Sequence, residues 1–347
     1  MEQQDFYFGI DNLYAQLSKL GDSLEALQKH IPWDAFRPQL RLARIRSTRK
    51  SNAGRKPYDD VLMFKVLVLQ ALYNLSDDQT EYQIKDRLSF RRFLNLGMNE
   101  SVPDAKTIWL FREHLVRRKL VEKLFAKFDG YLNNMGFEAR GGQIIDASFV
   151  QVPKQRNGRD DNQAIKSGKT PTKWKDTPAK LRQKDINARW TKKNNETYYG
   201  YKNHINIDNN AKLIRSYTVT DASVHDSKMF AVLIDPHNTN ADVYADSAYR
   251  SASFEAELKE AGYRSKVHFR GHRDKPLTQQ QIKANHSRSK TRVRVEHIFG
   301  YQANSMKAGC IKTINIARAR AKIGMTNLAY NMQRLIQLKR IYRINPC

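Results

Sequence analysis

The chain has 347 residues, 40% of them hydrophobic, which excludes a protein that is disordered throughout and allows two or three domains. Lys and Arg number 61 against 35 Asp and Glu, so the formal net charge is +26. Such an excess favours a polyanionic partner, nucleic acid first.

Cysteine content and hydropathy restrict the compartment. The two cysteines, Cys310 and Cys347, cannot build a disulfide framework or a cysteine zinc site, which fits a reducing environment. The N-terminus lacks the basic and apolar parts of a signal peptide, and no apolar run approaches the ~20 residues that span a membrane. We therefore expect an intracellular protein without a membrane partner.

The first 140 residues have an all-α pattern. Residues 1–50 predict short helices that end in a basic stretch, Arg41–Lys50. Asp59 and Asp60 suit the first turn of a helix that reaches Tyr73 and is apolar nearly all round, hence buried. Further helices are predicted over residues 76–88, 90–96 and 103–135.

At Gly141 the pattern changes to a mixed α/β sheet. The predicted strands are Gln143–Val152, Tyr198–Ile207, Lys212–Val219, Asp242–Asp246 and, more weakly, Ser265–Phe269. Residues 208–210 predict a hairpin turn, because Asp and Asn tolerate turn conformations. Helices are predicted over residues 226–233, 251–261, from 278 onward and 311–344.

Residues 153–197 form an insertion with little periodicity and a surplus of Lys and Arg. Two interpretations stay open: a solvated surface loop, or a basic segment that lies on a nucleic-acid backbone and becomes ordered there. On the second interpretation the phosphate contacts come from four lysines: Lys166, Lys169, Lys173 and Lys175.

Three acidic residues stand where charge is costly. Asp146 interrupts an apolar run, Asp246 closes another, and Glu296 lies late in the chain. A buried carboxylate needs a cation or a metal as partner, and carboxylates are the ligands that Mg²⁺ prefers. In a basic chain they suggest a divalent-metal site acting on a polyanion.

Other interpretations stay open for each acid. Asp146 could pair with a nearby cation, Asp246 could form a turn, and Glu296 could make a helix ion pair with Arg292. Asp221 and Asp242 compete for the second position. His225 and Asp226 resemble a catalytic base dyad, but the start of a helix is the simpler interpretation. Lys202 and His204 lie on the same side of their predicted strand and could contact DNA.

Several motifs resemble one protein family. In the helical half they are residues 54–60, 69–76, 90–97 and 102–107, and downstream they are residues 145–148, 199–204, 224–227, 244–249 and 292–296. In this order they resemble the insertion-sequence-5 family of DDE transposases, over roughly residues 50–340. Two positions depart from the related C-terminal pattern: Ser289 replaces a Tyr and Gln302 replaces a Lys.

The resemblance implies an α+β multidomain protein with a ribonuclease-H-like catalytic domain. Asp146 would lie on the first strand, Asp246 after the fourth and Glu296 on a late helix, together holding two Mg²⁺ ions (Mn²⁺ as a substitute). The expected domains are 1–50, a helical and basic segment, 51–140, the DNA-binding helical domain, and 141–347, the catalytic domain with the insertion.

The implied function is that of a transposase, which binds the inverted-repeat ends of its element, cleaves double-stranded DNA and transfers strands as a homodimer in the bacterial cytoplasm, at the nucleoid. A catalytically silent DNA-binding derivative and a simple metal-dependent nuclease are the alternatives. The residues expected to contact DNA are Lys202, His204, Tyr249, Arg250, Arg292, Arg294, Lys307, Arg55, Lys56 and the four insertion lysines.

Overall fold

The computed structural model describes residues 2–44, 56–193, 195–271 and 273–342. Arg55 and most of the basic stretch predicted at Arg41–Lys50 lie outside these residues. The chain divides into two compact units, Met1–Lys127 with Leu328–Cys347, and Phe128–Asn327. Among the described residues, no helix combines the length and apolar character needed to cross a bilayer.

The N-terminal region is all α, as predicted. Its helices are α1 (Glu2–Lys19), α2 (Ser23–His30), α3 (Arg37–Arg41), α4 (Asp60–Tyr73), α5 (Asp77–Asp86), α6 (Leu88–Leu94), α7 (Ala105–Arg117) and α8 (Leu120–Asn134). The prediction of a buried α4 is confirmed: Asp59 caps it by accepting hydrogen bonds from the amides of Val61 and Leu62, and nearly every side chain is buried.

The single helix predicted over residues 103–135 is wrong, because the structure has two helices there. Lys119 adopts a left-handed backbone with φ of 50° between α7 and α8, which interrupts the helical hydrogen bonds. Asn95, also left-handed, ends α6 before the predicted stop at Gly97.

The second unit contains a mixed sheet. Its strands in the described residues are β1 (Gln143–Gln151), β2 (Arg189–Lys193), β3 (Glu196–Asp208), β4 (Ile214–Asp221), β5 (Asp242–Tyr244) and β6 (Arg264–Ser265). β1 pairs antiparallel with β3 and parallel with β5, while β2 and β4 pair antiparallel with β3 and β6 pairs parallel with β5. The first four predicted strands are confirmed, although β5 ends two residues earlier than expected. The fifth, predicted over Ser265–Phe269, is wrong beyond Ser265, because β6 covers Arg264–Ser265.

The remaining helices are α9 (Arg159–Lys166), α10 (Thr172–Lys175), α11 (Pro178–Arg182), α12 (Phe230–Leu233), α13 (Ala252–Glu260), α14 (Gln279–Gly300) and α15 (Ile316–Tyr342). α15 begins later than predicted. Residues before it run alongside β1, where the amide of Ile311 donates to the carbonyl of Gln151, and Asn315 then accepts from the amide of Arg318 to start the helix.

The insertion is more structured than its sequence indicates. The expectation of an irregular loop is wrong, because residues 153–197 contain α9, α10, α11 and β2. Trp174 is 1% exposed, and the carboxylate of Asp185 accepts a 2.6 Å hydrogen bond from the buried hydroxyl of Tyr201 on β3. The segment thus has a small core, although its sequence has no apolar periodicity that would predict one.

Gly200 determines how closely β3 approaches β1. Its φ is +147°, and a Cβ at this position would lie 2.4 Å from the carbonyl oxygen of Val150 and 3.0 Å from the amide nitrogen of Val152. A side chain therefore requires β1 to move. Because β1 carries Asp146, the glycine also preserves the position of that carboxylate.

We expect Gly200→Ala to lower the free energy of unfolding by about 2–4 kcal/mol, since both the contact and the backbone conformation become strained. Gly130→Ala is the matched control, because Gly130 is exposed within α8 and a Cβ there meets nothing within 4 Å. That control should gain about 0.5–1 kcal/mol. Urea denaturation measures both, and equal stabilities of the two variants would contradict the assignment.

Candidate active site

The sheet register brings two of the predicted acids level with each other. β1 and β5 run parallel, with Gln143 opposite Val243 and Ile144 opposite Tyr244. Continued two residues further, the same register sets Asp246 beside Asp146. Asp246 follows β5 and caps the short 3₁₀ turn Ser247–Tyr249 by accepting from the amide of Ser247 at 2.6 Å.

The third acid comes from α14, which packs against both β1 and β5. Glu296 lies in the last two turns of this helix, one turn after Arg292. The helix begins at a capping box in which Thr278 and Gln281 exchange side-chain hydrogen bonds. It therefore presents Arg292 and Glu296 on one face, since residues four apart are neighbours on a helix.

Arg292 contacts all three carboxylates. Its Nη2 lies 3.0 Å from Oδ2 of Asp146 and 3.8 Å from Oε1 of Glu296, and its Nη1 lies 3.7 Å from Oδ1 of Asp246. The three acids, more than a hundred residues apart at the extremes, therefore surround one guanidinium. Their metal-binding and catalytic roles remain predictions.

The four side chains of this cluster differ in their exposure to solvent. The side chains of Asp146 and Arg292 are 14% and 16% exposed, whereas Asp246 is 36% and Glu296 59% exposed. Burial raises the pKa of the Asp146 carboxyl, and Arg292 opposes that shift. Burial by itself would lower the pKa of Arg292, but the neighbouring carboxylates, Asp146 foremost, raise it above its usual value.

The donor set fits a hard divalent cation. Three carboxylates supply oxygen ligands of the kind that Mg²⁺ and Mn²⁺ bind, and they already surround one positive charge. In the part of the chain that the structure describes, no group of three His, Cys, Asp or Glu side chains is arranged to hold a metal ion directly. Because Arg292 occupies the point that the three carboxylates surround, a metal ion bound at that point would have to displace it.

A second polar cluster lies on β3. Lys202 donates to the carbonyl of Val224 at 2.7 Å and to Oδ1 of Asp226 at 2.8 Å. His204 is fully buried, with Nε2 2.8 Å from the hydroxyl of Thr220 and Nδ1 3.9 Å from Asp226. Burial lowers the pKa of His204 to about 4, against the opposing effect of Asp226, so the ring is neutral at pH 7.

These contacts bear on the DNA role predicted for Lys202 and His204. Both side chains are buried in this conformation, so a contact with DNA would require rearrangement, and that role remains a prediction. Asp226 was interpreted from the sequence as a helix start. Its bond to Lys202 escaped sequence reasoning because the partners are far apart along the chain and only the fold joins them.

Tyr249 and Arg250 follow Asp246. Tyr249 is 1% exposed and packs among apolar residues that include Phe230 and Phe254. Its hydroxyl makes no hydrogen bond to the described residues. Arg250 donates to the carbonyl of Val267 at 2.9 Å and lies 4.1 Å from the ring centre of Phe269.

The other predicted contacts differ in accessibility. Arg294 donates to the carbonyl of Asn209 in the β3–β4 turn at 2.6 Å, so its guanidinium already has a protein partner. Among these predicted contacts, the lysines with exposed side chains are Lys56, Lys166, Lys169, Lys173, Lys175 and Lys307. Arg55 lies outside the described residues.

Ser289 and Gln302, the two residues that depart from the family pattern, have different surroundings. Ser289 is exposed on α14, with its hydroxyl 3.4 Å from Nε2 of His268. Gln302 is buried and donates at 2.8 Å to the side-chain oxygen of Asn327, which is also bonded to Asn203. Gln302 therefore connects the end of α14 to α15 and β3, and is not exposed to a ligand.

The chain matches two family models. Residues 11–114 match "Transposase domain (DUF772)" and residues 138–332 match "Transposase DDE domain". The chain is also similar to a solved structure, a cryo-electron-microscopy structure of a piggyBac transposase synaptic complex with hairpin DNA. The alignment has a TM-score of 0.45 and 14% sequence identity, and it covers 92% of this chain and 73% of that chain.

Acid should weaken the fold through His204. Its folded-state pKa of about 4 is below the unfolded value of 6.5, so the unfolded chain takes up the proton first. Stability is therefore lost as pH falls below 6.5, and the loss is complete below pH 4, reaching on the order of 3 kcal/mol.

We expect His204→Gln, which can keep the contact with Thr220, to lose less stability than the wild type between pH 7 and pH 4 in urea denaturation. His286→Gln removes an exposed histidine on α14 and should follow the wild-type curve. A His204→Gln curve parallel to the wild type would mean that burial does not suppress protonation at this position.

Proposed function

Because the chain belongs to the DDE transposase family, we propose that it binds the inverted ends of its own insertion sequence and there cuts and joins DNA with divalent metal ions held by Asp146, Asp246 and Glu296. The observation that carries the proposal is the contact of one guanidinium, that of Arg292, with all three carboxylates. Three acids from distant parts of the chain converge on one cation and so form a single cluster of carboxylates. Independent surface ion pairs would not bring the three acids together in this way.

The three carboxylates would bind the ions in different ways. Asp146 is fixed by its strand and by a 2.8 Å hydrogen bond from the amide of Ala147. Glu296 is exposed and free to change rotamer, because its contact with Arg292 is long at 3.8 Å. When bound, Mg²⁺ ions activate the attacking oxygen and stabilise the leaving oxygen of a phosphodiester. The specific ion and the number of ions belong to this proposal.

Arg292 would have two positions in this scheme. Without metal it neutralises the carboxylates, which would otherwise repel one another. With metal bound, the same guanidinium would turn towards a DNA phosphate, for which its planar, bidentate geometry is suited.

DNA binding is proposed for both parts of the chain. Transposases act on DNA, and this chain belongs to a transposase family. The helices of residues 51–140 are proposed to read the element ends, and the exposed lysines Lys56, Lys166, Lys169, Lys173 and Lys175 to contact phosphates. A homodimer is proposed because the two ends of an element must be cut and joined together.

The first test removes the carboxylates one at a time. Asp146→Asn, Asp246→Asn and Glu296→Gln should each reduce Mg²⁺-dependent cleavage of a duplex carrying the terminal repeats that flank the gene, on the order of 10³-fold. Binding of the same duplex should stay within a few fold. Gel analysis of nicked and joined products provides the measurement.

Asp221→Asn is the control, because Asp221 competed for the second position in the sequence, whereas among the described residues its carboxylate accepts hydrogen bonds from the amide and hydroxyl of Ser223 in its own turn. It should keep full activity. Nicks without joined products would favour a simple nuclease, and binding without any product in the wild type would favour a catalytically silent derivative. Full activity in any of the three variants removes that residue from the site.

The second test concerns competition between Arg292 and metal. Arg292→Gln should tighten Mn²⁺ binding in the absence of DNA by about tenfold, because no guanidinium then has to be displaced. Isothermal titration calorimetry measures this without any reaction. Arg294→Gln removes the same charge from the same helix but bonds to Asn209 instead, so its affinity should match the wild type. Unchanged affinity in Arg292→Gln would show that Arg292 does not occupy the metal position.

A further inference from the structure

A cavity of about 580 Å³ has Arg250 in its wall. Arg250 follows Asp246 of the carboxylate cluster through the 3₁₀ turn Ser247–Tyr249, so four residues of chain connect the cluster to the cavity. Three of its lining residues are cationic, Arg250, Arg270 and Lys275, and one is acidic, Glu255. Its volume is in the range of sites that bind small molecules or single nucleotide units.

Arg250, in the wall of this cavity, is crowded by a second guanidinium group, that of Arg288. Arg250 and Arg288 donate to the same carbonyl, that of Val267, at 2.9 Å and 2.6 Å. Both also lie against the ring of Phe269, at 4.1 Å and 4.4 Å from its centre. Burial, and then the charge of Arg250, lower the pKa of Arg288. Like charges held this close are relieved by an anion.

The acid in the cavity wall offsets only part of this charge. Glu255 lies 3.5 Å from Arg250 and accepts a 2.9 Å hydrogen bond from the hydroxyl of Ser265, so it compensates one positive charge where the wall carries three. The side chains of Arg270 and Lys275 are exposed, and neither side chain makes a hydrogen bond or ion pair to another residue that the structure describes. Their donors are therefore available to a ligand.

The start of α14 also borders the cavity, but it is not the anion site. Its capping box occupies the amides of Thr278 and Gln281 with each other's side chains. An anion would consequently be held by side chains, and the guanidinium groups, with their fixed fork of donors, suit a phosphate.

We propose that this cavity binds one phosphate of the DNA strand, a neighbour of the phosphodiester that is cut at the carboxylate cluster. The inference rests on the proposed function, because it places the same DNA in both sites. Two observations support it: Arg250 in the cavity wall follows Asp246 by four residues, and Arg288, which shares a carbonyl with Arg250, lies one helical turn before Arg292 on α14. Such a contact would fix the register of the strand without reading its sequence.

The test couples a protein change to a DNA change. A duplex carrying an end of the element is prepared as a series in which single phosphates are replaced by neutral methylphosphonates. Each is titrated against the full-length protein and against Arg270→Gln/Lys275→Gln, in an Asp146→Asn background that prevents cleavage. Both substituted side chains are exposed, and thermal unfolding verifies that the variants are folded.

We expect one methylphosphonate position to cost the wild-type protein about tenfold in affinity, and to cost the double variant no more than about twofold. The variant should also lose about tenfold on unmodified DNA, because both changes remove the same contact. Lys259→Gln/Lys283→Gln, two exposed lysines outside the cavity, loses the same charge and should leave the sensitivity of that position intact.

Absence of coupling at every position would overturn the inference, even if the protein binds and cuts the ends normally. Stabilisation of the wild type by inorganic phosphate, without coupling to any DNA position, would also overturn it, since the cavity would then bind a free anion. By contrast, a protein that does not bind element ends at all would contradict the proposed function. The two failures are thereby distinguishable.

Discussion

The contact of one guanidinium with three carboxylates is the interaction on which the acidic site depends. Without a cation at this point, Asp146 would be an uncompensated charge inside a sheet, which costs free energy. The carboxylates of Asp246 and Glu296 would add to that cost by repelling the carboxylate of Asp146. Arg292 supplies the cation from within the chain. The acidic cluster is therefore assembled around a cation of the chain itself, and binding of the proposed metal ions would replace that cation.

The fold fixes two acids by backbone and leaves one adjustable. Asp146 and Asp246 are level through the parallel register of β1 and β5, and the close approach that Gly200 permits keeps β1 against β3. Glu296 belongs to a helix, so its position depends on packing and its exposed side chain can turn. Such an arrangement suits a site that must keep its ligands close while an arginine leaves and metal ions enter.

Local signals predicted much of this from the sequence, and tertiary pairings account for what they missed. Apolar runs identified β1 and β5, and Asp59 identified the start of α4, because each is a local property. β2 was missed because Arg189–Lys193 contains few apolar residues and is stabilised by pairing with β3. The bond between Asp226 and Lys202, and the position of Arg292 among all three acids, join distant parts of the chain that no local pattern connects.

The arginines near the site differ in what neutralises them, and this difference separates their roles. Arg292 is surrounded by acids, so its charge is compensated within the protein, and the proposed metal ions would compete with it for the same oxygens. Arg250 and Arg288 share a carbonyl and an aromatic ring, and Glu255, 3.5 Å from Arg250, offsets one of their two charges, so the other charge can attract an outside anion. On the proposed function the chain uses both kinds of arginine, because carboxylates would hold the metal ions and cations would hold the DNA phosphates.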